Sequence, residues 1–102
     1  MLEIECHSSQ SGLGAALTQN GHPIAYASRA LTETESRHAQ IEKEMLAIVF
    51  SVQKFNDFTF GRRIVVNTDH KPLESIVTKP LHRSPKRLQG MLIRLQKYDL
   101  VV

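Results

Sequence analysis

The chain has 102 residues, of which 41% are hydrophobic and 23% are charged, proportions typical of a soluble globular domain rather than of a disordered chain. This length predicts one domain over residues 1–102 with a single hydrophobic core. Cys6 is the one cysteine, which excludes an internal disulfide, and no apolar run is long enough for a signal peptide or a membrane span. We therefore expect a soluble intracellular protein with no membrane partner.

Charge is distributed unevenly along the chain. Residues 1–61 contain four Lys or Arg against seven Asp or Glu, a balance of −3, whereas residues 62–102 contain nine against three, a balance of +6. A basic cluster is typical of nucleic-acid binding, although basic surfaces also occur on proteins that bind no anion. The densest part of the basic half comprises Arg62, Arg63, Lys71, Lys79, Arg83, Lys86 and Arg87.

The first thirty residues predict three strands in an antiparallel meander. Apolar residues at 2, 4 and 6 alternate with Glu3 and Glu5, which indicates a half-buried strand ending at 6–7. Residues 13–18 form a second strand, where Gly14 permits close approach of a neighbour. Asn20-Gly21 is a strong hairpin signal before a third strand at 23–28.

Thr32 to Thr34 offer N-cap residues for a helix that is predicted to run to about residue 55. Its apolar stripe lies at helical spacing. On a helical wheel Glu44 lies about 70° from the centre of that stripe and Glu42 about 90° away on the other flank. Either glutamate can reach inward, and a glutamate at such a boundary is most often solvated. The stripe comprises Ile41, Met45, Ile48, Val49, Val52 and Phe55.

The run at 64–66, Ile-Val-Val, predicts a strand buried on both faces, and Asp69 follows where that strand ends. Pro72 has no N–H to give to a central ladder. The carboxyl end of a strand is the usual place for a ligand in an open α/β sheet, so Asp69 is a candidate ligand residue. The alternative is that Asp69 only caps the short helix predicted at 72–77.

The remaining chain predicts a basic loop at 79–83, a helix and a final strand. Ser84 and Pro85 suit the N-cap and the first position of a helix that runs to about Tyr98. Gly90 weakens this helix by about 1 kcal/mol relative to alanine. Residues 99–102 begin a strand.

Four segments, in this order and spacing, strongly resemble the RNase H domain of gypsy-type LTR retrotransposon reverse transcriptases. They are SQSGLGA at 9–15, IAYASR at 24–29, IEKEMLAIV at 41–49 and NTDHKPL at 67–73. The resemblance implies a ribonuclease H-like α/β fold, a five-stranded mixed sheet with helices packed on it. In that sheet the first three strands are antiparallel, and the fourth and fifth strands are added in parallel.

The activity implied by this resemblance is cleavage of the RNA strand of RNA–DNA hybrids with two Mg²⁺ or Mn²⁺ ions. The expected partners are the hybrid, or another nucleic acid, and a covalently linked polymerase domain. By position, the resemblance assigns catalytic carboxylates to Glu44 and Asp69, which are also the metal ligands, and places His7 at the position of the family's first aspartate. The candidate nucleic-acid contacts are Ser9, Arg29, Lys71, Lys86 and Arg87.

The chain departs from the family pattern at His7, because the motif Asp-Ala-Ser is replaced by His7-Ser8-Ser9. Imidazole brings no charge and suits Mg²⁺ poorly, and although it binds Mn²⁺ or Zn²⁺ it cannot bridge two ions. The family's fourth carboxylate, with the end of its last strand and its last helix, would lie beyond Val102. We therefore expect weak or undetectable hydrolysis.

Three hypotheses follow from these observations. The first is an RNase H-type endonuclease domain whose catalysis is impaired in this copy. The second is a binding module without catalysis, in which basic residues contact the phosphate backbone. The third is an inactive remnant.

Overall fold

The computed structural model describes residues 1–68, 73 and 86–102 of the chain. Its strands are β1 (Leu2–Ser8), β2 (Gly12–Gln19), β3 (His22–Ala30), β4 (Arg63–Thr68) and β5 (Asp99–Val101). Its helices are α1 (Glu33–Ser36), α2 (Gln40–Lys54), α3 (Asn56–Thr59) and α4 (Lys86–Leu95).

These strands form one five-stranded mixed sheet in the order β3-β2-β1-β4-β5. β1, β2 and β3 pair antiparallel, and β4 and β5 are added in parallel. The predicted sheet is therefore confirmed. The predicted hairpin is present too, since Asn20 and Gly21 take the positive φ angles, 52° and 82°, that a tight turn of this kind requires.

Alternation along β1 separates a core face from an open face. Leu2, Ile4 and Cys6 are buried beneath α2, whereas His7 is exposed. The helical stripe predicted for α2 supplies most of the facing side of the core, with Ile41 only partly buried. On β4, Ile64 and Val66 are buried and Val65 is half-buried, so the prediction of burial on both faces is wrong for the side away from α2.

The single helix predicted from about residue 32 to residue 55 is wrong, because the chain breaks it into α1 and α2. Thr32 caps α1 as predicted, with its hydroxyl accepting from the backbone N–H of Glu35 at 3.1 Å. A second N-terminus then forms at Ala39, whose backbone N–H donates to the Glu42 carboxylate at 3.2 Å. Each helix thus begins at a cap residue whose N–H bonds a glutamate three residues later, Glu35 for α1 and Glu42 for α2. The apolar periodicity does not mark the break between the two helices.

Other predicted boundaries need smaller corrections. Residues 56–61, predicted as a turn, contain the short helix α3, and the last helix ends at Leu95 rather than Tyr98. β1 continues past the predicted end to Ser8. Leu73, from the predicted helix at 72–77, is helical and fully buried. The rest of that helix, the loop at 79–83 and the cap at 84–85 lie outside the described residues. Among the residues that the structure describes, no helix has the length and apolar character that crossing a lipid bilayer requires.

An ion pair ties the edge strand β3 to α1. Both terminal nitrogens of Arg29 donate to the Glu35 carboxylate at 2.8 Å, and the backbone N–H of Thr32 donates to the same carboxylate at 3.0 Å. The hydrogen bonds from Arg29, followed by the one from Thr32, lower the pKa of Glu35 from 4.5 to about 2. The folded state therefore favours the ionised carboxylate.

This shift predicts a pH-dependent contribution to stability. Because the folded pKa lies below the unfolded value, the contribution is complete above pH 4.5 and is lost as the pH falls towards 2. At pH 7 we expect Glu35→Gln to lower the unfolding free energy by about 1 kcal/mol, discounted for the part-exposed arginine, which corresponds to about 4 °C in Tm. Thermal melts from pH 7 to pH 2 should show this difference shrinking to nearly zero.

The matched control for this pair is Glu33→Gln. Glu33 also pairs with an arginine, Arg37, but the two side chains are 82% and 75% exposed. An exposed pair contributes little. A drop in Tm of equal size in both variants, or a Glu35→Gln effect that persists at pH 2, would contradict the assignment.

Candidate functional site

Glu44 is a buried carboxylate in the second turn of α2, with only 7% of its surface exposed. Its Oε1 accepts hydrogen bonds from Ser8 Oγ at 2.6 Å and from Gln40 Nε2 at 2.7 Å. Its Oε2 is buried with no hydrogen-bond partner in the described part of the chain. A carboxylate in this position is expensive to bury, which makes it a candidate functional group.

Glu42, the other glutamate that periodicity allowed to turn inward, has a different role. Its carboxylate accepts from Arg87 at 2.6 Å and from the backbone N–H of Ala39 at 3.2 Å. Burial acts to raise the pKa of Glu42, but the hydrogen bonds from Arg87 and Ala39 outweigh it, so the pKa is lowered. Glu42 thus starts α2 and ties it to α4, whereas Glu44 reaches the sheet.

His7 lies on the open face of β1, one residue before Ser8. It pairs with Gly14 of β2, and its ring lies so close that a Cβ on that glycine would be 2.5 Å from Nε2. A neighbour does approach Gly14 closely, as predicted, and this neighbour is the His7 ring, which leaves no room for a side chain at position 14. Ser8 points the other way, towards α2, so Glu44 contacts the residue beside His7 while the imidazole lies on the opposite side of the strand.

A shallow groove of about 270 Å³ runs between the carboxyl ends of β1 and β4. His7 and Thr68 line it, and Thr68 pairs with Cys6 in the parallel register. The residue that follows Thr68 is Asp69, the second predicted carboxylate, which lies outside the described residues, as does Lys71. The structure thus brings Glu44 to the end of β1 beside β4, and the position of Asp69 stays a prediction.

The predicted nucleic-acid contacts divide into two places. Ser9 and Arg29 line a second groove with His7, of about 320 Å³. Ser9 Oγ accepts from the backbone N–H of Gly12 at the start of β2 at 3.1 Å, and Arg29 pairs with Glu35. Lys86 and Arg87 begin α4, where Lys86 is exposed and Arg87 bonds a glutamate of α2.

Ser8 and Gln40 are the site residues that sequence reasoning missed. Ser8 follows Leu2, Ile4 and Cys6 on the core-facing side of β1. A polar residue on that side indicates a hydrogen-bond partner within the fold. Gln40 stands four residues before Glu44 on the same helix, the spacing at which side chains meet. Neither signal identifies the partner unless the helix start is known.

The sheet order, the parallel β1–β4 pair and the glutamate of α2 at their carboxyl ends define an RNase H-like α/β domain. A foamy viral protease-reverse transcriptase in complex with RNA/DNA hybrid superposes with a TM-score of 0.76 at 23% identity, over 97% of this chain and 14% of that one. The N-terminal RNase H domain of a Mycobacterium tuberculosis protein superposes with a TM-score of 0.66 at 12% identity, over 99% of this chain and 83% of that one. These similarities establish the fold.

The chain belongs to the family of RNase H-like domains found in reverse transcriptase, whose model matches residues 1–98. It is 37% identical, over 93% of its length, to the Pol polyprotein from transposon 297 of Drosophila melanogaster. It is 35% identical, over 97% of its length, to that from transposon 412 of the same organism. The chain spans only 9% and 8% of these two relatives.

Divalent metals are the general cofactors of RNase H-like domains. Glu44 fits that role, since its buried Oε2 is a carboxylate oxygen with no partner among the described residues. His7 does not fit, because a neutral imidazole offers a hard cation neither charge nor oxygen. Within residues 1–68, 73 and 86–102, no three His, Cys, Asp or Glu side chains cluster as a metal site. The described residues alone therefore do not fit a pair of Mg²⁺ ions.

Proposed function

We propose that this chain is an RNase H-type endonuclease domain of a retrotransposon reverse transcriptase, directed at the RNA strand of RNA–DNA hybrids, and that His7 impairs hydrolysis in this copy. The observation that carries the proposal is the Glu44 carboxylate, buried at the carboxyl end of β1 with one oxygen that has no hydrogen-bond partner among the described residues. The second carboxylate of the proposed site is Asp69, directly after β4.

A buried, half-satisfied carboxylate is difficult to explain by stability. An acceptor without a partner costs about 1–3 kcal/mol, and more when it is charged. A leucine at this place would bury apolar surface without that penalty. Such groups persist where their charge serves a ligand, which supports a cation-binding role for Glu44.

The impairment follows from charge. Two divalent ions in a nuclease site activate water and stabilise the leaving oxygen, and they need several anionic ligands within a few ångströms. With His7 in place of an aspartate, the proposed set in this chain is Glu44 and Asp69. Two carboxylates compensate the charge of two such ions poorly, so we expect hydrolysis to be weak or undetectable.

Binding of nucleic acid is expected to survive this loss. The proposed contacts are Ser9, Arg29, Lys71, Lys86 and Arg87, and His7 is not one of them. Arg29 and Arg87 each already pair with a glutamate, whereas Lys86 is exposed and has no ion pair among the described residues. Because the curated relatives are Pol polyproteins, we propose that a linked polymerase domain helps to hold the same hybrid.

The test is hybrid binding and hybrid cleavage by the unmodified chain. We expect a labelled RNA–DNA hybrid to bind with an affinity that falls steeply as salt rises, because phosphate contacts release counterions. We expect little or no cleavage in Mg²⁺. Lys86→Gln should weaken binding and reduce the salt slope by about one contact. Lys54→Gln, an exposed cation at the far end of α2, is the matched control.

Two results would contradict the proposal. An affinity that does not change with salt would exclude phosphate binding. Efficient cleavage in Mg²⁺ that Asp69→Asn abolishes would show that the site is intact despite His7, so the impairment would be wrong. Binding without cleavage in every metal tested, and in every variant at position 7, would favour the second candidate, a binding module, to which the +6 balance of residues 62–102 also points.

A further inference from the structure

Three polar side chains form a closed hydrogen-bonded network between β1 and α2. Gln40 Nε2 donates to Ser8 Oγ at 3.2 Å and to Glu44 Oε1 at 2.7 Å. Ser8 Oγ donates its own proton to the same carboxylate oxygen at 2.6 Å. Both donations to the Glu44 carboxylate therefore end on the same oxygen, Oε1.

The two oxygens of this carboxylate are thus unequal. Oε1 accepts two donors from two directions, one across the strand–helix interface and one from the preceding turn of its own helix. Oε2 is buried and has no partner in the described part of the chain. Hydrogen bonds to a charged acceptor are short and directional, so this arrangement fixes the rotation of the carboxylate.

The two side chains that donate to Glu44 differ in exposure. Ser8 is half-buried on the core-facing side of β1, whereas Gln40 is exposed on the first turn of α2. The half-buried serine is therefore the firmer of the two supports.

We propose that Ser8 and Gln40 are positioning residues that hold Glu44 in one rotamer, with Oε2 as the single oxygen offered to a divalent cation. The cation part of this inference rests on the proposed function, whereas the rotamer part stands on the network alone. One-oxygen ligation is a consequence, because Oε1 already accepts two donors. Removing the serine hydroxyl releases the side chain to rotate.

The first measurement follows the Glu44 side chain in the metal-free chain by NMR, through its three-bond couplings. We expect one dominant rotamer in the unmodified chain and averaging in Ser8→Ala. Ser8→Thr keeps a hydroxyl and suits a strand, so it should retain the single rotamer. Ser11→Ala is the matched control, since Ser11 is exposed in the β1–β2 turn. A single rotamer that persists in Ser8→Ala would overturn the proposal.

The second measurement is the Kd of Mn²⁺ in the His7→Asp background, in which a carboxylate stands at the carboxyl end of β1. We expect Ser8→Ala to weaken Mn²⁺ binding about 10-fold to 100-fold, as loss of a residue that orients a ligand does, and Ser8→Thr to restore it. Rotamer averaging with unchanged Mn²⁺ affinity would overturn the claim that orientation matters to the cation. If His7→Asp binds no Mn²⁺ while Ser8→Ala still averages the rotamer, the proposed function fails and the positioning of Glu44 stands.

Discussion

Replacing His7 with aspartate is expected to raise the rate of hybrid cleavage in Mg²⁺ by about 100-fold or more. The substitution returns an anionic oxygen ligand to the carboxyl end of β1, beside the β4 strand that leads to Asp69. Metal-assisted charge stabilisation contributes several kcal/mol to a hydrolytic transition state, and each 1.36 kcal/mol is about tenfold in rate. The measurement is the single-turnover rate on a labelled RNA–DNA hybrid.

The environment of position 7 accommodates this change without repacking. His7 is exposed, and its imidazole ring lies against Gly14. An aspartate side chain is shorter than a histidine side chain and fits the same space. His7→Asn is the matched control, because asparagine has the shape of aspartate without its charge. Equal rates for the two variants would show that charge at this position does not limit the reaction. Activity of His7→Asp that survives Glu44→Gln would show that cleavage occurs elsewhere.

The sheet could be predicted because its signals are local. Alternation in residues 2–6, the Asn20-Gly21 turn and the β-branched run at 64–66 each specify a strand or a turn within a few residues, and the resemblance supplied their order. The break between α1 and α2 could not be predicted in this way. Residues 37–39 contain neither glycine nor proline, and the new N-terminus depends on Glu42 folding back to the N–H of Ala39.

The choice between Glu42 and Glu44 could not be made from periodicity either, because the two lie at similar angles from the apolar stripe. Contacts distant in sequence decide it. Ser8, 36 residues before Glu44, donates a hydrogen bond that holds the Glu44 side chain at the sheet. Arg87, 45 residues after Glu42, donates a hydrogen bond that holds the Glu42 side chain at α4. The family resemblance named Glu44, and the structure adds a physical reason why that side chain reaches the sheet.

The second large effect expected is a selective loss of NMR signal when Mn²⁺ is added to the His7→Asp chain. Paramagnetic broadening falls with the sixth power of distance, so it reports which amides lie near the ion. The proposed ligands come from three elements that are far apart in sequence: the end of β1, the start of α2 and the residue after β4. A shared site requires that all three respond to the same ion, and Glu44→Gln should weaken the response of all three together.

This titration tests most directly whether positions 7, 44 and 69 form one cation site. We expect substoichiometric Mn²⁺ to remove the amide signals of those three positions first in the His7→Asp chain. The unmodified chain should show much weaker broadening at the same concentration. Broadening that is confined to other acidic positions, such as Glu33 and Asp57, or that is identical in the two chains, would contradict it.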